Sequence, residues 1–413
     1  MALFLSGSVA AQGLAALTGL LLARWLSIED YALYTIAFLL MGAINVLTKG
    51  GVHLGFTAIL GRTWPDLERA AQAVSSALKA RRTLSSLVLP PFFIASALLL
   101  YQNGSTPLQV GLLISLLLMF WLADMRTSVV DQIFFFAKQT TRIQGLDLAL
   151  AFARLAVVLG LFAAGWLNLI SAIFLAVLLA WLRVRPIMHW TSQILPMDRA
   201  KSQASDFQEM RQSVYRQFPS DLFQVFQVQI VILMMTAYAT TSDIAGYGAL
   251  SRLQQLTLPA LSIMHAFAVP YFARTRQHVL PIYLALIALS SLPGIALVIV
   301  AWMVPEWLLW LIGNNYASLS HEVLMASVAT AFSNIAMVAW TLVANRGWLK
   351  WSWLQIPLGL LWCVVAPVYL LDMSRLEDAL VFRTGFALAL LAAAGMGMYS
   401  AWHEPRWEPN GEK

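Results

Sequence analysis

Twelve apolar runs, interrupted by short polar stretches, make up nearly all of this chain: 3–24, 32–60, 83–101, 107–124, 143–163, 167–182, 218–239, 246–272, 279–303, 319–344, 352–371 and 379–400. A bilayer core of about 30 Å is crossed by about 20 residues of α-helix, so the pattern predicts about twelve transmembrane helices. The second and eighth runs are long, and Gly50-Gly51 and Pro259 offer places for them to bend. Before the third run, Leu67, Ala71, Val74 and Leu78 recur at spacings of four, three and four. This is the helical period and predicts an interfacial helix over 66–82, with Lys79, Arg81 and Arg82 beside anionic lipid.

The longest polar segment, 184–217, falls between the sixth and seventh runs. It divides the chain into an N-terminal lobe 1–183, a cytoplasmic linker 184–217 and a C-terminal lobe 218–413, with six helices on each side. Two six-helix lobes related by a pseudo-twofold axis are the plan of a transporter. A sequence echo fits two parallel repeats: Asp30-Tyr-Ala-Leu-Tyr34 opens helix 2 and Asp243-Ile-Ala-Gly-Tyr247 opens helix 8.

Composition excludes a water-soluble fold. Of 413 residues, 60% are hydrophobic and 11% charged, against about 25% charged in soluble domains. Trp25, Trp64, Trp166, Trp302, Trp348 and Trp402 stand near the ends of runs, as interfacial anchors do. The run beginning at Leu3 has no basic residues before it and is long enough to span, so it is expected to be a helix, not a cleaved signal.

The net charge of +6 need not point to nucleic acid, because the placement of the cations carries the information. Twenty Lys and Arg fall in 61–82, 125–142, 183–217, 273–278, 345–351 and 401–413, whereas the opposite loops hold only Arg24 and Arg375. The positive-inside rule therefore predicts both termini in the cytoplasm. Lys49, Arg154, Arg252 and Arg383 remain within the runs.

No nucleotide-binding or metal-ligating spacing occurs among the motifs or the six histidines, so no cofactor is expected. The single Cys363 has no disulfide partner and reads as a small buried hydrophobe. The longest outer loop, 304–318, is short for acceptor chemistry, which argues against an enzyme.

The candidate chemistry therefore rests on ionisable groups in or beside the spans. A charge at mid-helix costs about 2.5–3.5 kcal/mol on insertion scales, so each should face protein or a wet cavity. Arg24 and Lys49 lie toward helix ends and also have a snorkelling reading. Asp147 precedes Arg154 by seven residues on one helical face, so the two are also candidates for mutual compensation. Asp221, Gln224 and Gln227 form a stripe at steps of three, with Asp221 also readable as an N-cap after Pro219-Ser220, and Arg252, Gln254 and Gln255 follow in helix 8. Excess positive charge between two lobes favours an anionic substrate. The site predicted for it comprises Arg24, Lys49, Arg154, Arg252, Arg383, Gln224 and Gln227, with Asp147 and Asp221 as candidates for binding a coupled ion.

Residues 23–34, Ala-Arg-Trp-Leu-Ser-Ile-Glu-Asp-Tyr-Ala-Leu-Tyr, resemble the turn after helix 1 in polysaccharide flippases of the Wzx type, within the multidrug/oligosaccharidyl-lipid/polysaccharide exporter superfamily. Leu308-Leu-Trp-Leu-Ile-Gly-Asn-Asn-Tyr316 is similar to the leucine-rich segment of that family ending in G-x-x-Y. Ala32 and Lys49 depart from its usual residues. The resemblance implies a flippase for a polyprenyl-diphosphate-linked oligosaccharide, such as an O-antigen, capsule or exopolysaccharide repeat unit, working by alternating access. It further implies Arg24 near the diphosphate, coupling to H⁺, Na⁺ or the membrane potential, and as partners membrane lipid, a polysaccharide polymerase and glycosyltransferases, with no nucleic acid. The alternatives are a drug or cation antiporter of the same superfamily, which would want an acidic cavity, and a membrane-bound polymerase or transferase.

Overall fold

Each apolar run is helical, as it must be where no water is present to satisfy backbone N–H and C=O groups. The computed structural model describes residues 2–197, 200–275, 277–346, 348 and 350–403. Among them the chain forms α1 (Ala2–Trp25), α2 (Ile28–Thr63), α3 (Leu67–Gln102), α4 (Pro107–Thr127), α5 (Asp131–Phe136), α6 (Thr140–Ala163), α7 (Leu169–Ile194) and α8 (Ala204–Tyr238). The second half holds α9 (Thr241–Leu253), α10 (Leu258–Arg274), α11 (Val279–Met303), α12 (Pro305–Ile312), α13 (Ser320–Asn345), α14 (Gln355–Val365) and α15 (Leu376–His403).

Among the described residues ten helical segments are long and apolar enough to cross a membrane, and two shorter apolar ones, Val9–Trp25 and Leu258–Val269, lie where the first and eighth spans are expected. The chain is an all-α membrane protein. The predicted cytoplasmic cations Arg199, Arg276, Arg406 and Lys413 lie outside the described residues, as does 404–413 of the tail.

The sequence echo has a physical basis in helix capping. Ser27 caps α2 by accepting from the Asp30 amide at 3.2 Å. Thr240 caps α9 by accepting from the Asp243 amide at 3.3 Å, and the Asp243 carboxylate returns a bond to the Thr240 amide. Both acidic residues stand in the first turn, where the helix dipole favours them.

Packing separates the chain into two compact units, one of Met1–Thr18 with Trp25–Thr236, the other of Gly19–Arg24 with Ala237–Lys413. In the first unit, Val52, Phe56, Ile59 and Leu60 of α2 pack on Ala70, Ala73, Val74 and Ala77 of α3, with Phe134, Ile187 and Met210 closing the cluster. In lipid, such tight packing replaces the hydrophobic drive between helices, and small residues allow it. In the second unit α13 packs on α11 and α15. Gly294 lets α11 approach the Ala331 backbone, where an added Cβ would come within 2.9 Å.

Several expectations change. Residues 66–82 are not a separate interfacial helix: α3 runs unbroken from Leu67 to Gln102, capped by Asp66, and its alanine face and Arg81 are buried. Its recurring apolar positions pack on protein. The polar stretch 184–217 is mostly helical, with α7 continuing to Ile194 and α8 starting at Ala204. Two ion pairs join this part of α8 to α2 and α3, Arg62 to Glu209 at 2.6 Å and Arg69 to Asp206 at 2.7 Å.

Helix α2 passes through Gly50-Gly51 without interruption, because the glycines make room for α8. The long run 246–272, in contrast, breaks at a 3₁₀ turn, Gln254–Leu256, one turn before Pro259. Trp166 and Trp302 are exposed, as anchors should be. Trp25, Trp64 and Trp348 instead pack on Phe162, Phe136 and Phe272.

Candidate functional site

The first unit assembles a balanced charge network from residues of α2 to α7. Arg81, fully buried on α3, donates to the Thr48 carbonyl at 3.2 Å and to the Asp124 carboxylate at 2.6 Å, and also bonds Ser128. Arg183 of α7 reaches Asp131 at 3.1 Å and Asp147 at 2.9 Å. Lys49 lies in the field of Asp124, Arg81, Asp131 and Arg183. Three cations face three carboxylates, which is how buried charge is tolerated in a low dielectric.

This arrangement corrects two readings. Asp147 pairs with Arg183, not with Arg154. Arg183, assigned by position to a cytoplasmic loop, belongs to a membrane helix and is largely shielded by its two carboxylates. Arg154 instead donates to the neutral hydroxyl of Tyr34 at 3.1 Å. At about 1.5 Å per residue it lies roughly 14 Å from the C-terminal end of α6.

Asp221 is not an N-cap, since it sits in the middle of α8 and is buried against α2. A Cβ at Gly50 would overlap its carboxylate, so any larger residue there must displace the Asp221 side chain. The Gln217 side-chain amide donates to its carboxylate at 3.0 Å. Of the stripe expected beside it, Gln224 is exposed and Gln227 half-buried. Gln229 on the same helix is the buried glutamine.

The second unit gathers Arg252, Gln254, Gln255 and Arg383 at the break between α9 and α10. The 3₁₀ turn stops the α-helical ladder, leaving side chains and neighbouring helices to satisfy the freed backbone. Thr257 donates to the Gln254 carbonyl at 2.8 Å and accepts from buried Asn334 of α13 at 3.0 Å. Arg383 of α15 bonds the Gln254 side chain and reaches the Ser251 hydroxyl at 3.4 Å. Arg252 is buried, its stem against Gly19 of α1, where Gln255 also packs. Asn334 Oδ1 has no hydrogen-bond partner among the described residues.

The charges of this unit are segregated. Its described carboxylates, Asp243, Glu306, Glu322, Asp372, Glu377 and Asp378, occupy first turns or a loop. Its membrane interior therefore presents arginine, amide and hydroxyl groups, a surface suited to an oxyanion.

Arg24 is placed apart from this group. It donates to the Trp310 carbonyl at 2.8 Å and lies 4.8 Å from the Trp310 ring centre. The structure thus brings Arg252 and Arg383 to one helix break, puts Lys49 and Asp147 in a compensated network, and holds Arg24 on α12.

Sequence reasoning missed Arg81, Asp124, Asp131, Thr257 and Asn334. The first three flank spans and look like loop charges. Only the helical period running from Leu67 into the third span hinted that the membrane bundle extends past its apolar limits.

No protein-family model matches the sequence, and no curated protein is significantly similar to it. Solved structures do match in fold. A multidrug resistance MATE family transporter of the MOP superfamily, in an inward-facing conformation, superposes with a TM-score of 0.73 at 14% identity, covering 95% of this chain and 94% of that one. The lipid II flippase MurJ, in an inward closed conformation, gives 0.72 at 12% identity, covering 97% and 88%. A MOP superfamily transporter from Pyrococcus furiosus Vc1, reported with a binding pocket of reverse polarity, gives 0.65 at 14% identity, covering 97% and 94%. The chain shares the fold of these proteins.

Proposed function

We propose that this protein is a flippase, not an enzyme, that moves a polyprenyl-diphosphate-linked oligosaccharide from the inner to the outer leaflet of a bacterial inner membrane. The observation that carries the reading is the pair Arg252 and Arg383 at a broken membrane helix, in a unit whose described carboxylates are confined to helix ends and a loop. A diphosphate offers the oxygens that guanidinium and amide groups recognise, and in a low dielectric the attraction is strong. The reading also draws support from the fold likeness to a lipid II flippase and to a transporter with reverse pocket polarity.

The mechanism proposed is alternating access. The diphosphate and sugar occupy the arginine-lined interior while the prenyl tail stays in lipid. With both termini in the cytoplasm, as the Lys and Arg placement favours, the inside-negative potential assists outward movement of negative charge by about 2.3 kcal/mol per charge per 100 mV. Asp147 is engaged by Arg183, so Asp221, held by neutral Gln217, is the better candidate for a coupled H⁺ or Na⁺.

The test is complementation of a strain lacking this protein. Arg154→Ala, Arg252→Ala and Arg383→Ala should each reduce surface polysaccharide about tenfold or more while membrane levels stay normal, as expected for lost charge-assisted contacts. Normal export in all three sinks the reading. The drug-antiporter alternative rests on the MATE likeness. It predicts instead that drug resistance, not polysaccharide, depends on these residues.

A further inference from the structure

Where the loop before α8 meets α3, Lys79, Ser202, Ala204, Phe207, Gln208 and Arg211 line an open cavity of about 300 Å³. That volume lies at the lower end of small-molecule sites, about 300–1,000 Å³. We propose that this cavity is a binding site for a phosphate-bearing anion, separate from the transport pathway.

Charge is the first argument. The carboxylates of this stretch of α8 are already committed, since Asp206 takes both guanidinium donors of Arg69 at 2.7 Å and Glu209 binds Arg62. Lys79 and Arg211 line the cavity with no ion pair among the described residues. The Lys79 ammonium lies over the Phe207 ring at 5.4 Å. That contact orients the charge and leaves its hydrogen-bond donors for a ligand. Two like charges on one cavity wall repel each other until an anion bridges them.

Two further groups favour an oxyanion. The Ser202 hydroxyl is buried on the cavity wall and has no hydrogen-bond partner among the described residues. The 35-residue helix α8 begins at Ala204 on the same wall, so its N-terminal amides and dipole add positive potential. A tetrahedral phosphate matches this set of two cations, a hydroxyl donor and main-chain N–H groups. Its source is either the headgroup of an anionic lipid or a soluble phosphate, and basic pockets beside membrane helices take the former.

The full chain, purified into phosphatidylcholine nanodiscs with or without phosphatidylglycerol, distinguishes them. Native mass spectrometry reads retained phosphatidylglycerol, and ³¹P line broadening in the phosphatidylcholine discs reads binding of inorganic phosphate. We expect saturable binding of one of these probes, weakened about tenfold or more in Lys79→Ala/Arg211→Ala and retained in Lys79→Arg/Arg211→Lys. Retained lipid identifies the headgroup as the source, and phosphate broadening identifies the soluble anion. Arg142→Ala removes a charge near the start of α6, outside the cavity, and should leave binding unchanged. Equal binding of both probes by the wild type and the double alanine variant, or an equal loss in Arg142→Ala, overturns the proposal. A melting curve matching the wild type shows that the double variant is folded.

Discussion

The side chain of Arg24 donates to the Trp310 carbonyl at 2.8 Å while its guanidinium covers the Trp310 ring at 4.8 Å. The two segments that resemble flippase motifs, around residues 23–34 and 308–316, thus meet through these two residues. Gly313 completes the contact with φ of +116°, and an added Cβ would come within 2.8 Å of the Arg24 Cα. Gly313→Ala should therefore destabilise by about 1–3 kcal/mol. Trp310→Phe, which keeps the carbonyl and an aromatic ring, should cost well under that. Thermal melting in detergent compares them, and equal losses would refute the stacking geometry.

Arg81 of α3 has no access to solvent and binds groups on α2 and α4 at once. Arg81→Ala removes one partner of a buried pair and should cost about 3–5 kcal/mol. Arg81→Lys should rescue little, because one ammonium cannot copy the fork of donors. Arg81→Met combined with Asp124→Leu should recover most of the loss, as measured by unfolding of the purified protein.

Gly50 and Asp221 should behave as a coupled pair. Gly50→Ala drives a methyl group into the carboxylate, with an overpacking cost of about 1–3 kcal/mol. Asp221→Ala in that background makes room for it, so the double variant should be more stable than the sum of the single effects. Strict additivity in a double-mutant cycle would show that α2 and α8 do not pack through these residues.

Between the end of the fourteenth helix and α15, Asp372 accepts from the Ser374 hydroxyl at 2.7 Å and amide at 3.1 Å. These bonds hold its carboxyl below the ordinary 3.8. A depressed carboxyl stabilises the fold above its unfolded pKa, and that contribution disappears as pH falls from 3.8 through the lower folded value. Ser374→Ala should make the acid limb of melting temperature against pH shallower. An identical limb in the variant would dismiss the contribution.

Hydropathy made the helices legible because every apolar run had to satisfy its own backbone. It failed at their polar extensions, where α3 and α8 remain helical among charges: Arg69 and Arg62 neutralise Asp206 and Glu209 across a separation of well over a hundred residues. Pairing at that distance has no local signature. The candidate site was half visible: Arg252 and Arg383 stood out as charges in apolar runs, whereas Thr257 and Asn334 resemble ordinary span residues until the helix breaks. Asp147 shows the converse, since periodicity offered Arg154 but packing supplied Arg183.

The turn at Gln254–Leu256 lies about 18 Å from the start of α9, beyond the middle of a 30 Å core. Irregular backbone at that depth survives only against protein or beside water. Protein groups meet part of that demand, but Asn334 Oδ1 beside the turn has no hydrogen-bond partner among the described residues, so water is expected there, and hydration can be read chemically. With Cys363 replaced by serine, a single cysteine introduced at position 255 should react with a membrane-impermeant thiol reagent, whereas one at the lipid-facing position of Leu292 should not.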